Sequence, residues 1–190
     1  MNDDKVGVPT SCEMQLYSGK FMNPLKPKVS DIDIRDIAAA LSKLCRFGGH
    51  VSRFYSVAQH SVLVSYNVTP GDELEGLMHD SAEGLGLGDL IRPVKIQLGI
   101  GPVYKKAETR TEKVVAERFG LKFPWPISVK IADNRVVLTE MRDLKPKSER
   151  RLIGAGDFKL LKKVIKPWGP AKAERKFLER YYQLEAQRSK

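Results

Sequence analysis

A mainly α-helical domain is predicted for this 190-residue chain, and three observations predict it. Apolar residues recur at spacings of three and four in several segments, no stretch alternates at period two for long, and Gly/Pro clusters separate the periodic runs. At 42% hydrophobic and 29% charged residues, the composition is that of an ordinary globular chain and argues against disorder or low complexity. The length matches one domain, residues 1–190.

Residues 1–30 hold Pro9, Gly19, Pro24 and Pro27 around short pieces such as Met14-Gln15-Leu16-Tyr17, which reads as an irregular or β-like lead-in. A helix is expected from near Asp31, because Ile34, Ile37, Leu41 and Leu44 form one apolar stripe that Gly48-Gly49 ends. Ser56-Val57-Ala58-Gln59 has capping-box spacing and should open a helix running to about Tyr66, before Pro70-Gly71 breaks it. A third helix should begin near Asp72 with Leu74, Leu77 and Met78 buried, ending in a stretch with glycines at 84, 86 and 88. Further helices are expected at about 103–119, closed by Gly120, at about 127–143 after Pro124-Trp125-Pro126, and at about 171–188.

Charge is unevenly distributed. The net charge is +10, but Leu144–Lys190 holds 14 basic and 5 acidic residues, leaving the preceding chain nearly neutral. A basic C-terminal extension over 144–190 could bind nucleic acid, draw in anionic nucleotides or keep the protein soluble. Aromatic residues that might stack bases are sparse there, so nucleic acid is not the expected partner. Cys12 and Cys45 stand alone, which excludes a disulfide framework or a cysteine-based zinc site. No apolar run approaches membrane-spanning length and the opening Met1-Asn2-Asp3-Asp4-Lys5 is acidic, so a cytoplasmic location is expected.

The chemistry clusters around histidine. Two of the three histidines, His60 and His79, fall on expected helices near acids, and Asp80 adjoins His79. Imidazole and carboxylate together suit a divalent first-row metal with open positions. Asp133 lies in the apolar-patterned Ile127-Ser128-Val129-Lys130-Ile131-Ala132-Asp133, where an acid must be paired, solvated or bound to an ion. Its spacing of three from Lys130 also fits an ordinary helical ion pair. No G-x-S-x-G elbow, phosphate-binding P-loop or HExxH motif is present, which leaves no credible covalent nucleophile.

The order His60, then His79-Asp80, then Asp133 resembles the H…HD…D signature of the HD-domain metal-dependent phosphohydrolases. Neighbouring stretches resemble the small nucleotide-hydrolysing branch of that superfamily: Cys45-Arg46-Phe47-Gly48-Gly49-His50, Phe54 to Ser61, Met78 to Glu83, Gly88 to Lys95, and Pro167-Trp168-Gly169-Pro170. The resemblance implies a compact HD-domain helical bundle in which His60, His79, Asp80 and Asp133 bind one divalent cation, whether cobalt, manganese, zinc or iron. It admits a further divalent cation on the substrate phosphates. It implies Glu83 as the water-positioning acid, Asp89 as its supporting carboxylate, and Arg46, Lys95 and Lys130 as phosphate-neutralising cations. Phe47 takes the place of a ring packed on the nucleoside. From His79 to Asp89 the chain is one residue longer than the family pattern. The expected activity is hydrolysis of a 2′-deoxynucleoside 5′-phosphate by a likeness to compact phage-type dATP triphosphohydrolases, with a 5′-nucleotidase as the alternative. A homo-oligomer is expected on the same ground. The rival of a different class is a nucleic-acid-binding module with a structural metal site.

Overall fold

The computed structural model describes residues 12–146 and 159–189. The mainly helical expectation holds. Among the described residues a two-stranded antiparallel hairpin, β1 (Met14–Gln15) and β2 (Phe21–Met22), precedes seven helices. These are α1 (Ile34–Lys43), α2 (Val57–Ser65), α3 (Glu73–Met78), α4 (Arg92–Gln97), α5 (Gly101–Phe119), α6 (Ile127–Leu144) and α7 (Pro170–Arg188). Among the described residues no helix is long and apolar enough to cross a membrane.

The caps explain the boundaries. Asp33 opens α1 by accepting from the Arg35 amide, and Ser56 opens α2 by accepting from the Gln59 amide at 3.2 Å. Helix α1 therefore begins at Ile34, with a short 3₁₀ turn at Val29–Asp31 before it. The Gln59 side chain does not complete a reciprocal box. It donates to Lys166 O at 2.9 Å and accepts from Trp168 N at 2.7 Å, clamping the C-terminal segment to α2. Gly120 closes α5 in the left-handed conformation.

Helix α2 lies at the centre. Val57, Ala58 and Val62 join Ile37 and Leu41 of α1, Leu74, Leu77 and Met78 of α3, and Phe177, Tyr181 and Leu184 of α7 in one apolar cluster. A second cluster packs Val64 against Val129, Ala132 and Val136 of α6. The 144–190 stretch is thus an extension only in charge, since α7 forms a wall of the main core. Residues 1–11 of the lead-in, and 147–158 and Lys190 of the basic stretch, lie outside the described residues.

Two glycines are sterically required. A Cβ on Gly76 would stand 2.9 Å from Val68 Cγ1 and 3.2 Å from Ser65 Cα, so glycine lets α3 approach α2 closely. After α3 the chain continues through His79–Ala82 into a wide turn at Glu83–Leu87, closed by Gly88 N donating to Glu83 O at 2.9 Å. An i→i+5 turn of this kind holds more chain than an α-turn, and it carries the glycine-rich stretch that precedes Asp89. Gly86 in that turn has φ +101°, and a Cβ there would meet Met14 Sδ at 2.6 Å.

Candidate metal centre

Close packing of α2 on α3 and α6 brings three distant stretches of sequence together. His60 occupies the first turn of α2, His79 and Asp80 follow the end of α3, and Asp133 lies in the second turn of α6. One ligand atom each from His60, His79 and Asp133 lies within 4.8 Å of the others. His60 Nε2 is 3.3 Å from Asp133 Oδ1 and 3.6 Å from Asp80 Oδ2, and His79 Nε2 is 3.2 Å from Asp80 Oδ1. Donors sharing a first-row cation at about 2.1 Å stand about 3.0–3.4 Å apart; the 3.2 and 3.3 Å separations fall in that range and the 3.6 Å one just outside it.

The ring nitrogens are already sorted. His60 Nδ1 donates to Glu140 Oε1 at 2.7 Å and His79 Nδ1 donates to Gly76 O at 3.0 Å. Each acceptor can only accept, so each neutral ring keeps its proton on Nδ1 and turns the Nε2 lone pair inward. Both Nε2 atoms are buried and lack a hydrogen-bond partner, as does Glu83 Oε2. Buried polar atoms are rarely left so. The two imidazole nitrogens meeting beside Asp80 and Asp133 are what a cation site requires.

The charges give the same picture. Burial and the Arg46 guanidinium both oppose protonation of His60, yet the Glu140 and Asp133 carboxylates outweigh them and raise the imidazole to about 9. With no other cation at the centre, a proton supplies the positive charge those acids demand. Burial would push Asp133 up, but the adjacent His60 ring, with His79 and Lys130 behind it, holds the carboxyl well below the usual range. Burial pushes Glu83 up to about 10, and the neighbouring Asp80 and Asp89 carboxylates add to the rise. A bound cation would reverse that trend.

Glu140, which sequence reasoning missed, is fully buried beneath the centre. Besides His60, it accepts from Tyr55 OH at 2.7 Å and from Arg46 Nε at 3.2 Å. Burial raises it, but Arg46 and His60 outweigh that and hold it down to about 2. Its spacing of seven from Asp133, two turns along the same face of α6, was the signal available in the sequence.

The centre opens into a cleft of about 760 Å³ lined by His79, Asp80, Asp133, Lys95, Lys105, Lys113 and Lys130, with Phe123 and Trp125 on one wall. Lys95 and Lys130 are therefore brought to the site. Lys95 Nζ sits 3.8 Å over the Tyr104 ring, and Lys130 Nζ is 3.2 Å from Asp133 Oδ2, so the helical ion pair is formed as well. Asp89 is half-buried, and because Glu83 Oε2 has no partner, Asp89 does not hydrogen-bond to it. Arg46 is buried, with Nη1 3.5 Å from Asp80 Oδ2 and Nε on Glu140, so it faces two carboxylates. Phe47 is half-buried with a left-handed backbone (φ 58°), a strained state for a bulky residue. The Arg46 guanidinium lies 5.5 Å and Lys145 Nζ 5.0 Å from its ring centroid. His50 is exposed in the same turn.

No family model matches the chain. It is 43% identical to the uncharacterized protein YfdR of Escherichia coli K12 over 131 residues, covering 69% of this chain and 71% of YfdR. The chain belongs to the YfdR family. An uncharacterized protein of Rhodobacter capsulatus is 33% identical over 187 residues, covering 90% of this chain and 94% of that one. Neither relative's name assigns an activity.

Proposed function

We propose that this protein is an HD-domain-like, metal-dependent phosphohydrolase. Its substrate is a 2′-deoxynucleoside triphosphate, favouring deoxyadenosine, and its products are the deoxynucleoside and tripolyphosphate. The observation that carries the reading is the convergence of two inward-facing, unpartnered imidazole nitrogens with Asp80 and Asp133 at one end of a cleft that also holds four lysines. His60, His79, Asp80 and Asp133 would hold the divalent cation, of cobalt, manganese, zinc or iron type. Bound there, it supplies Lewis acidity toward a phosphoryl oxygen and lowers the pKa of water.

The chain's own groups account for the rest. Glu83 would take a proton of the attacking water, a role that needs its ionised form; burial with Asp80 and Asp89 raises its pKa, and a bound cation would favour the carboxylate. Asp89 then helps Glu83 keep the proton once taken, since its charge raises the Glu83 pKa. Lys95, Lys105, Lys113 and Lys130 line the cleft; Lys105 is engaged by Glu108 and Glu112 and Lys130 by Asp133, which leaves Lys95 and Lys113 as the cations most open to a substrate phosphate. Arg46 adds fixed positive charge behind Asp80, and Phe47 offers its ring to the nucleoside. A homo-oligomer in the cytoplasm belongs to the same reading.

The nucleic-acid rival loses support from the placement of the tail's cations. Arg175 and Lys176 pair with Glu179, Arg188 pairs with Glu185, and Arg180 is buried on Ser65. The deciding experiment incubates the protein with dATP or dAMP and cobalt or manganese and identifies the products. Tripolyphosphate from dATP is expected. Orthophosphate from dAMP alone would assign a 5′-nucleotidase instead, and turnover of neither would overturn the proposal.

A further inference from the structure

Glu140 has no exposed surface, and two of its three hydrogen-bond partners, His60 and Arg46, reach the metal centre. A buried carboxylate is costly unless its charge is paired and its oxygens are hydrogen-bonded. Here Oε1 receives His60 Nδ1–H and Tyr55 O–H, and Oε2 receives Arg46 Nε–H. Had Arg46 alone been the purpose of the pair, His60 could have turned its ring; instead the carboxylate fixes which nitrogen faces the cation. Arg46 then extends the link, since its Nη1 stands 3.5 Å from Asp80 Oδ2. Two of the four proposed ligands, one from α2 and one beyond α3, are thereby tied to a single side chain of α6.

We infer that Glu140 is a positioning residue that sets how tightly the centre holds its cation, by orienting His60 directly and Asp80 through Arg46. The inference rests on the metal-centre reading above. A carboxylate behind a ligating imidazole fixes its tautomer and raises its basicity, and its loss costs roughly ten- to a hundredfold in metal affinity. Glu140→Gln keeps the volume but removes the charge, and its amide must present a donor to either Arg46 or His60.

The test titrates the full chain with cobalt(II), following the ligand-field absorption and competing with a chelator. The unaltered protein must bind; if it does not, the metal-centre reading itself falls. If it does, Glu140→Gln should bind roughly ten- to a hundredfold more weakly, with a changed cobalt spectrum. Glu75→Gln serves as the control for mere burial, because Glu75 is also buried but accepts from Lys122 N, away from the centre. It should bind like the unaltered chain. Equal affinities in all three proteins would overturn the role of Glu140 and leave the metal site standing. Nitrogen-15 NMR of the zinc-loaded, unaltered chain reads the same point even if Glu140→Gln fails to fold. His60 should be metal-bound through Nε2 with a slowly exchanging proton on Nδ1, and a ring bound through Nδ1 would overturn the inference.

Discussion

His60 and His79 each have one ring nitrogen fixed on a buried acceptor and the other turned to the centre, whereas Lys95 and Lys130 at the cleft's rim each rest on a single, partly exposed contact. The difference follows from what carries each group. The imidazoles and Asp133 ride on or beside helices whose other faces are core, so packing fixes their backbones and hydrogen bonds fix their rings. Lys95 comes from α4, which has no buried residue, and Phe47 from a strained turn. Ligand geometry must hold within a fraction of an ångström and needs that rigidity. A lysine is a mobile point charge and tolerates less definition.

The comparison breaks most sharply at the centre. Asp133→Ala should lower kcat/KM for dATP on the order of 10³-fold or more, because Lewis-acid stabilisation is worth several kcal/mol, and should weaken cobalt binding in the same titration. Glu83→Gln should instead leave cobalt bound while kcat falls about 10²–10⁴-fold, the usual worth of a positioned proton acceptor. Equal metal loss in both variants would place Glu83 among the ligands.

Without the cation, the centre should be a liability above mildly acidic pH. Glu83 is raised from 4.5 to about 10 by burial and by Asp80 and Asp89, so its folded form favours the proton and stability falls as pH rises above 4.5 toward 10. His60 has its folded pKa raised from 6.5 to about 9, against burial and Arg46, by Glu140 and Asp133. Its contribution is complete below 6.5 and is lost as pH rises through about 9. Glu140, held down to about 2 by Arg46 and His60 despite burial, contributes above 4.5 and is lost as pH falls toward 2. Melting of chelator-treated protein should therefore show its highest midpoint in the mildly acidic range and a steady alkaline decline. Saturating manganese should flatten that decline, and an identical slope with and without metal would refute the electrostatic account of the centre.

The same contrast governs what could be read from sequence. Helices α1 and α3 were legible from their spaced apolar residues, and α2, α5 and α6 from the caps and breakers that bound them. Helix α4 was not, because Arg92–Gln97 buries nothing and so carries no periodicity. The proposed ligands were legible because histidine and acid side chains stand out in apolar segments. Glu140 did not stand out, since a glutamate in a helix normally faces water and only tertiary packing shows that this one does not. Arg46 was readable as a cation but not as a buried one facing Asp80 and Glu140, because the turn that carries it bends through a left-handed Phe47 that no local rule anticipates.

The smallest effects are expected at the rim, and there they separate two lysines. Lys95→Ala removes a cation held against Tyr104 and should raise KM for dATP about tenfold, in line with about 1.5 kcal/mol for a hydrogen bond to a charged group. Lys130 is more exposed, its side chain 65% accessible, and it also pairs with Asp133. Exposed charges are screened by solvent, so Lys130→Ala should raise KM only severalfold. The Lys130 contribution should also fade as ionic strength rises and the Debye length shrinks below about 8 Å, while kcat stays near that of the unaltered chain. A fall in kcat for Lys130→Ala, persisting at high salt, would mean that this lysine acts through Asp133 on the centre itself, and the boundary drawn between centre and rim would have to move outward to include it.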